Sequence, residues 1–256
     1  MTSPLLSIII PALNEEARLP DTLDKILAYL AQQPYQAEII VVENGSTDRT
    51  LAIAQDYAAR LPSVHALHSE RGKGSAVRAG MLAAQGDYRF ICDADLSMPI
   101  EQVTRFLPPN APEAEICIGS REAPGSVRHN EPAYRHFTGR GFNTLVRWLL
   151  LPGLQDTQCG VKCFRGDVAE DVFRLQTITG WTFDVAVLYI ARLHGCRIVE
   201  IPVDWYHNPG SKIRVLHDSG VMFSDLPKIR RNARRGLYPH APLSDRRPAH
   251  RAGPVL

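Results

Sequence analysis

Two aspartates one residue apart, Asp93 and Asp95, close the apolar run Phe90-Ile91-Cys92. An apolar run ending in paired carboxylates reads as a buried strand whose C-terminal edge opens into a site. On an extended backbone, residues two apart project to the same side. The pair is therefore expected to share one hard divalent ion, Mg²⁺ or Mn²⁺, through oxygen ligands. Such an ion suits a diphosphate. The plainer alternative is an Asp-x-Asp turn that merely ends a strand, and the residues around it have to decide.

Several cations and one further acid stand where they could serve an anionic ligand. Lys73 lies between Gly72 and Gly74 at a helix start, where glycines would let a phosphate approach closely, although the spacing is not that of a P-loop. A glycine-rich helix start with a solvated lysine is the alternative. Arg121 ends the run Glu115 to Ser120, and Arg128, Arg135 and Arg140 follow in a segment rich in Gly, His and Pro that could close over an anion. Lys212 sits in Gly210-Ser211-Lys212, read as a mobile loop. Asp184 falls in the first turn of a helix, where the dipole alone would favour a carboxylate.

The elements that must position these groups follow from periodicity. Leu5 to Ile10 and Glu38 to Val42 are apolar enough for buried strands. Between them Leu23, Ile26, Leu27 and Leu30 recur at helical spacing before Pro34. A helix to about Arg60, a short strand at Val64 to Leu67 and a helix after Lys73 then lead to the strand that carries the two aspartates. Strand, helix, strand in succession predicts an α/β fold with a mostly parallel sheet and the ligand at the C-terminal strand edge. Asp156 to Phe164 reads as a turn and a short strand, Val185 to Leu193 as a helix, and Arg197 to Val203 as the last strand. Phe142, Leu145, Val146 and Leu149, widened by Trp148, Leu150 and Leu151, form a stripe that is either core or a membrane-interface helix with Arg147 at head-group depth. Val221, Met222, Phe223, Leu226 and Ile229 mark a last amphipathic helix, bent or restarted at Pro227. Its Lys228, Arg230, Arg231, Arg234 and Arg235 suit either solvent or an anionic bilayer.

Composition narrows the classes. A formal charge of +2, all of it attributable to Arg246, Arg247 and Arg251 against Asp245 near the C-terminus, argues against nucleic acid as a partner. Five cysteines without CxxC spacing suit a reducing cytoplasm, and Cys159 and Cys163 read as packing residues rather than zinc ligands. No run approaches the ~20 apolar residues of a membrane span, so the expectation is a cytoplasmic chain, soluble or peripheral at the membrane face. Residues 1–235 read as one domain, with 1–121 the nucleotide half and 122–235 the acceptor half. A disordered tail is expected over 236–256.

Taken in order, these pieces resemble the GT-A-fold glycosyltransferases of family 2, and within them the dolichyl-phosphate glucosyltransferase and mannosyltransferase group. The resemblance runs from Leu5 to about Arg235. It rests on Pro-x-x-Asn-Glu at Pro11 to Glu15, Gly-Ser-Thr-Asp at Gly45 to Asp48, Gly-Lys-Gly at Gly72 to Gly74 and Asp-Ala-Asp-Leu-Ser at Asp93 to Ser97. Gly119-Ser120-Arg121, Asp156-Thr157-Gln158-Cys159-Gly160, Phe183-Asp184-Val185 and Gly210-Ser211-Lys212 complete it, with the later pieces nearer the glucosyl branch. The resemblance implies a nucleotide-sugar donor, UDP-glucose first among them. Pro11, Leu13, Glu15, Glu43 and Asn44 would surround base and ribose, with Lys73, Asp93 and Ala94 toward the diphosphate and Asp93 and Asp95 on the metal. It further implies that Arg121, Arg135, Gln158 and Lys212 serve an acceptor phosphate, with Asp184 close by. Leu13 replaces the family's usual tyrosine, Glu43-Asn44 its acid pair, and Ala186 a glutamate.

The chemistry implied is displacement at an anomeric carbon, with inversion, by a polyprenyl phosphate. Such a phosphate is largely ionised at neutral pH because its second pKa is about 6, so no strong base is needed. A hydroxyl acceptor on a small metabolite or saccharide is the rival, and it would require a base, for which Asp184 is the candidate. A nucleotidyltransferase would instead carry a glycine-rich loop where Pro11 to Glu15 stand.

Overall fold

The structure is a computed structural model and describes residues 4–130, 133–208 and 215–239, the side chains of 133–139 and 215–219 excepted. Its centre is a seven-stranded sheet of β1 (Leu6–Ala12), β2 (Ala37–Glu43), β3 (Val64–His68), β4 (Tyr88–Ile91), β5 (Ile116–Ser120), β7 (Lys162–Arg165) and β8 (Ile198–Pro202), in the order β3-β2-β1-β4-β7-β5-β8. All pairings are parallel except those of β7, which runs against both β4 and β5. The expected mostly parallel α/β sheet is therefore present.

Both faces of this sheet are covered, which is why its strands read as continuous apolar runs rather than alternations. Leu6, Ile8 and Ile10 pack on one side with Leu19, Leu23 and Ile26 of α1 (Leu19–Leu30) and with Ile100, Val103 and Phe106 of a 3₁₀ helix, Ile100–Phe106. Ile9 faces the other side, against Ala76, Val77 and Met81 of α3 (Lys73–Ala83), in a buried cluster that also takes in α6 (Phe183–Leu193). Each such buried Ile, Leu or Phe contributes roughly 1.5–3 kcal/mol. The closeness of α3 to β1 depends on Gly80, where a Cβ would lie 2.5 Å from Ile9 Cγ2.

A second, two-stranded parallel ribbon joins β6 (Val127–His129) to β9 (Asp204–Tyr206), with the His129 and Tyr206 rings stacked 4.2 Å apart. It is bolted to the segment after β4. The Tyr206 N–H donates to Ser97 O at 2.7 Å, and Gln102 exchanges two hydrogen bonds with the Asp204 backbone.

Several elements differ from the expectations. α2 (Thr50–Arg60) ends as expected, but residues 166–174, to which the sequence reading assigns nothing, form α5, whose Val168, Ala169, Val172 and Phe173 are buried. In α4 (Ala133–Leu149) the apolar stripe divides: Phe142 and Val146 enter the core, whereas Trp148 is 86 % exposed. α7 (Val215–Arg234) runs through Pro227 without restarting and buries Leu226 and Ile229, leaving Val221 and Phe223 half exposed. Tyr238, placed above in the tail, is buried and bonds Thr177 Oγ1 at 2.6 Å, so packing extends past residue 235. Residues 240–256 lie outside the described chain.

Candidate active site

The C-terminal edges of β1, β2 and β4 bring the first half of the site together. The loops after β1 and β2 are laced: Asn14 N–H donates to Ser46 Oγ, Thr47 N–H to Asn14 Oδ1 and Glu15 N–H to Thr50 Oγ1, at 2.7–2.9 Å. Glu15 also holds Arg18, at 2.8 Å. Pro11, read above as the start of the loop, pairs in register with Val42 inside β1. Leu13 is half-buried. Glu43 accepts hydrogen bonds from Ser46 N–H and, at 2.7 Å, from His68 Nδ1. Burial pushes the Glu43 carboxyl up, but these donors outweigh it and hold it below its ordinary value. Asn44 is buried, and among the described residues its Oδ1 has no hydrogen-bond partner.

The acidic pair does not lie on extended backbone as expected. β4 ends at Ile91, and Asp93 to Leu96 form a turn in which Leu96 N–H donates to Asp93 O at 3.1 Å and Leu96 takes φ 45°. Thr22 of α1 anchors this turn by donating its hydroxyl to Ala94 O at 2.7 Å. Asp95 Oδ1 accepts the Ser97 N–H at 3.0 Å. Burial raises the Asp95 carboxyl above the usual carboxylate range, and the Asp93 charge adds to this. A cation between the two would relieve that repulsion. The donor set fits Mg²⁺ or Mn²⁺: hard carboxylate oxygens, completed in such sites by phosphates and water. Among the described residues no group of three or more His, Cys, Asp or Glu is arranged to cage an ion, so the fit is to an open, two-carboxylate site.

Behind the turn stand two ion pairs. Lys73 Nζ lies 2.6 Å from Asp93 Oδ1 and 5.5 Å from the centre of the Trp181 ring. Lys162 Nζ lies 2.7 Å from Asp184 Oδ1 and donates to Cys159 O at 2.6 Å. Burial alone would lower the Lys73 ammonium, but Asp93, Asp184 and Asp95 hold it above its ordinary value. Burial likewise raises the Asp184 carboxyl, against the pull of Lys162 and Lys73. Asp184 is thus the partner of a buried lysine rather than a helix-end charge facing solvent. The glycines beside Lys73 also allow close packing: a Cβ on Gly72 would lie 2.5 Å from Thr179 O, and one on Gly74 would lie 2.7 Å from Phe183 Cβ.

Arg121, expected at an acceptor phosphate, is committed to Asp156. Its Nε and Nη2 reach the two carboxylate oxygens at 2.7 and 2.9 Å, its backbone N–H reaches Oδ2 at 3.0 Å, and its guanidinium lies over Trp205. Burial pushes the Asp156 carboxyl up, but Arg121 more than compensates and sets it at about 2. Arg128 bonds Glu122 and the Arg121 carbonyl. Gln158 is half-buried in the turn before β7. Arg135 lies in the first turn of α4 with its side chain outside the described set, and Lys212 lies outside the described residues. The five cysteines are free. Burial pushes the thiols up, Cys159 to about 12, so Cys159 and Cys163 are packing residues, as expected.

This architecture can be placed among known proteins. The Glycosyl transferase family 2 model matches residues 7–173. The chain belongs to glycosyl transferase family 2. Among its curated relatives, this family 2 chain is 32% identical over 250 residues to the dolichyl-phosphate beta-glucosyltransferase of Dictyostelium discoideum, covering 91% of the chain and 76% of the relative. The Homo sapiens protein of the same name is 34% identical over 241 residues, 88% of this chain and 74% of the relative. Among solved structures, glucosyl-3-phosphoglycerate synthase from Mycobacterium tuberculosis in complex with UDP superposes with a TM-score of 0.61 at 19% identity, covering 91% of this chain and 80% of that one. The GT-A fold and the family expected from the motifs are therefore correct.

Three residues of this family 2 site escape the sequence reading. Lys162 could have been suspected, being one lysine inside the apolar run Cys159 to Phe164. Trp181 lies three residues before Asp184, but nothing local reveals that its ring meets Lys73. Gly160 stands in the motif Asp156 to Gly160, but nothing local shows that it must make room for Asp93, 67 positions earlier.

Proposed function

We propose that the protein is an inverting, metal-dependent hexosyltransferase that moves glucose from UDP-glucose to the phosphate of a polyprenyl lipid of the dolichyl type. Its curated relatives carry the name dolichyl-phosphate beta-glucosyltransferase, and the superposable mycobacterial enzyme has been crystallised with Mn²⁺ and UDP-glucose, which supports the same donor and ion here. When bound at Asp93 and Asp95, the divalent ion supplies Lewis-acid stabilisation of the leaving diphosphate. Pro11, Leu13, Glu15, Glu43 and Asn44 flank the base and ribose, and the unpartnered amide oxygen of Asn44 is a buried polar group that a base edge satisfies. Lys73 and the Ala94 turn lie toward the diphosphate. Arg121, Gln158 and, from the sequence alone, Arg135 and Lys212 orient the acceptor phosphate.

The observation that carries the phosphate acceptor is the Asp184–Lys162 pair. A hydroxyl acceptor needs a base that can turn to take its proton. Asp184 is buried, and its Oδ1 is held 2.7 Å from a fully buried ammonium, which suits a fixed counter-charge instead. A phosphate monoester arrives ionised, and its oxygen attacks without giving up a proton.

No described helix is long and apolar enough to cross a membrane. We place the protein at the cytoplasmic membrane face, in peripheral contact with anionic lipid. Exposed Trp148 and Leu149 on α4, and exposed Val221 and Phe223 on α7 beside Lys228, Arg230, Arg231, Arg234 and Arg235, support that contact. The deciding experiment incubates the protein with labelled UDP-glucose, Mn²⁺ and polyprenyl phosphate, then partitions the products. Label in the organic phase is expected, and label confined to the aqueous phase would reject the lipid acceptor.

A further inference from the structure

The two ion pairs behind the acidic turn differ in a way that assigns them different tasks. Lys162 and Asp184 are closed in, with side-chain exposures of 0% and 9%, and Lys162 Nζ is also fixed to Cys159 O. Lys73 and Asp93 are open, at 18% and 24%. The Lys73 backbone cannot move: Gly72 and Gly74 lie against residues 178–183 at distances a Cβ would not survive, Ser75 N–H donates to Thr179 O, and Gln176 Nε2 donates to Gly74 O. Only the side chain is at liberty. It already reaches the Trp181 ring, a face able to hold an ammonium by cation–π attraction.

Charge counting gives this liberty a purpose. Lys162, Asp184, Lys73, Asp93 and Asp95 set two ammonium groups against three carboxylates, one negative charge in excess. Lys73 neutralises one of the two carboxylates that a divalent cation would share. It also occupies the first residue of α3, where the helix dipole disfavours an ammonium and favours an anion. A diphosphate arriving there offers Lys73 a partner at least as good as Asp93.

We propose that Lys73 is a displaceable internal cation, which holds Asp93 while the donor site is empty and releases it to the divalent ion when the donor diphosphate takes over the ammonium. This rests on Asp93 and Asp95 being the metal-side carboxylates. Its consequence is ordered loading: free metal competes with a tethered ammonium, whereas metal and nucleotide together do not. Metal and nucleotide are then coupled through one side chain, and by linkage each tightens the other by the same factor.

The test is Mn²⁺ binding followed by the EPR signal of free Mn²⁺, with and without UDP, in the full chain and in Lys73→Met. Without UDP, Lys73→Met is expected to bind Mn²⁺ about tenfold or more tightly than the natural protein, the order by which a contacting opposite charge shifts an ionic equilibrium. The factor by which UDP tightens Mn²⁺ should shrink accordingly. Equal or weaker Mn²⁺ binding by Lys73→Met overturns the proposal. Lys73→Gln, also neutral, is run beside it, so that a folding defect in one variant does not decide the matter. Asp95→Ala in the Lys73→Met background separates the two readings. If the gained Mn²⁺ binding survives that change, or if the natural protein binds no Mn²⁺ even with UDP, the metal site itself is wrong and the proposal falls with it.

Discussion

Gly160 and Asp93 approach so closely that a Cβ on the glycine would stand 1.8 Å from Asp93 Oδ2. Bare backbone forms the wall of the acidic turn at this point, and a methyl group must push the carboxylate aside. A misplacement of ~1 Å in a reacting site costs about a hundredfold. Gly160→Ala is expected to lower kcat by about that factor while the protein stays folded. Steady-state rates beside a far-UV melt check it, and a rate within twofold of the natural protein would mean Asp93 is not needed where it stands.

Arg121 and Asp156 make an acid-sensitive clamp. The Asp156 carboxyl titrates at about 2 when folded and near ~3.9 when unfolded. A depressed folded value stabilises above the unfolded pKa, and that contribution fades as pH falls from about 5 toward 2, with a full size of about 2–3 kcal/mol. Urea unfolding of the natural protein and of Asp156→Asn should therefore diverge at pH 7 and draw together as pH falls toward 2. Parallel curves across that interval would show the pair to be neutral.

Lys162 and Asp184 should reveal themselves through non-additivity. Removing one partner of a buried pair leaves a stranded charge and costs about 3–5 kcal/mol. Lys162→Met with Asp184→Asn together should cost less than the sum of the singles by about 2 kcal/mol. Simple addition in a urea double-mutant cycle would contradict the contact.

Two glycines should respond oppositely to alanine. Gly74→Ala drives a methyl into Phe183 Cβ and the Ile178 and Thr179 carbonyls, and is expected to cost about 1–3 kcal/mol. Gly141, exposed in α4, has nothing within 4 Å of its added Cβ, and alanine there should stabilise by about 0.5–1 kcal/mol. Thermal melts of the two variants read both signs.

Trp148 offers a check on the proposed bilayer contact. Trp148→Glu should reduce co-sedimentation with vesicles containing anionic lipid by about tenfold or more, with turnover of a short-chain acceptor in detergent retained. Undiminished sedimentation would leave α4 facing water.

The sequence was most legible where burial is two-sided. Leu6 to Ile10, Ile39 to Val42 and Ile116 to Ile118 are buried on both faces and announce themselves as strands. The Asp93–Asp95 pair and Asp184 were visible as residue types at element ends. What stayed hidden depends on contacts between distant segments: Asp156 locking Arg121, Lys162 meeting Asp184, and the glycines whose neighbours lie far along the chain. α5 shows a different failure. Its Val168, Ala169, Val172 and Phe173 carry a helical period, but nine residues are too few for it to stand out beside the short β7.

The reversed direction of β7 has one more effect. Lys162 opens that strand opposite Ile91, the last residue of β4, so the residues that precede β7 arrive at the rim of the sheet that carries the candidate site. In every parallel strand of this sheet only the residues that follow reach it. Lengthening or shortening the chain just upstream of Lys162 is therefore expected to disturb the candidate site directly, whereas the same edit after Arg165, beside Asp87 at the far rim, is expected to bear on assembly of the core.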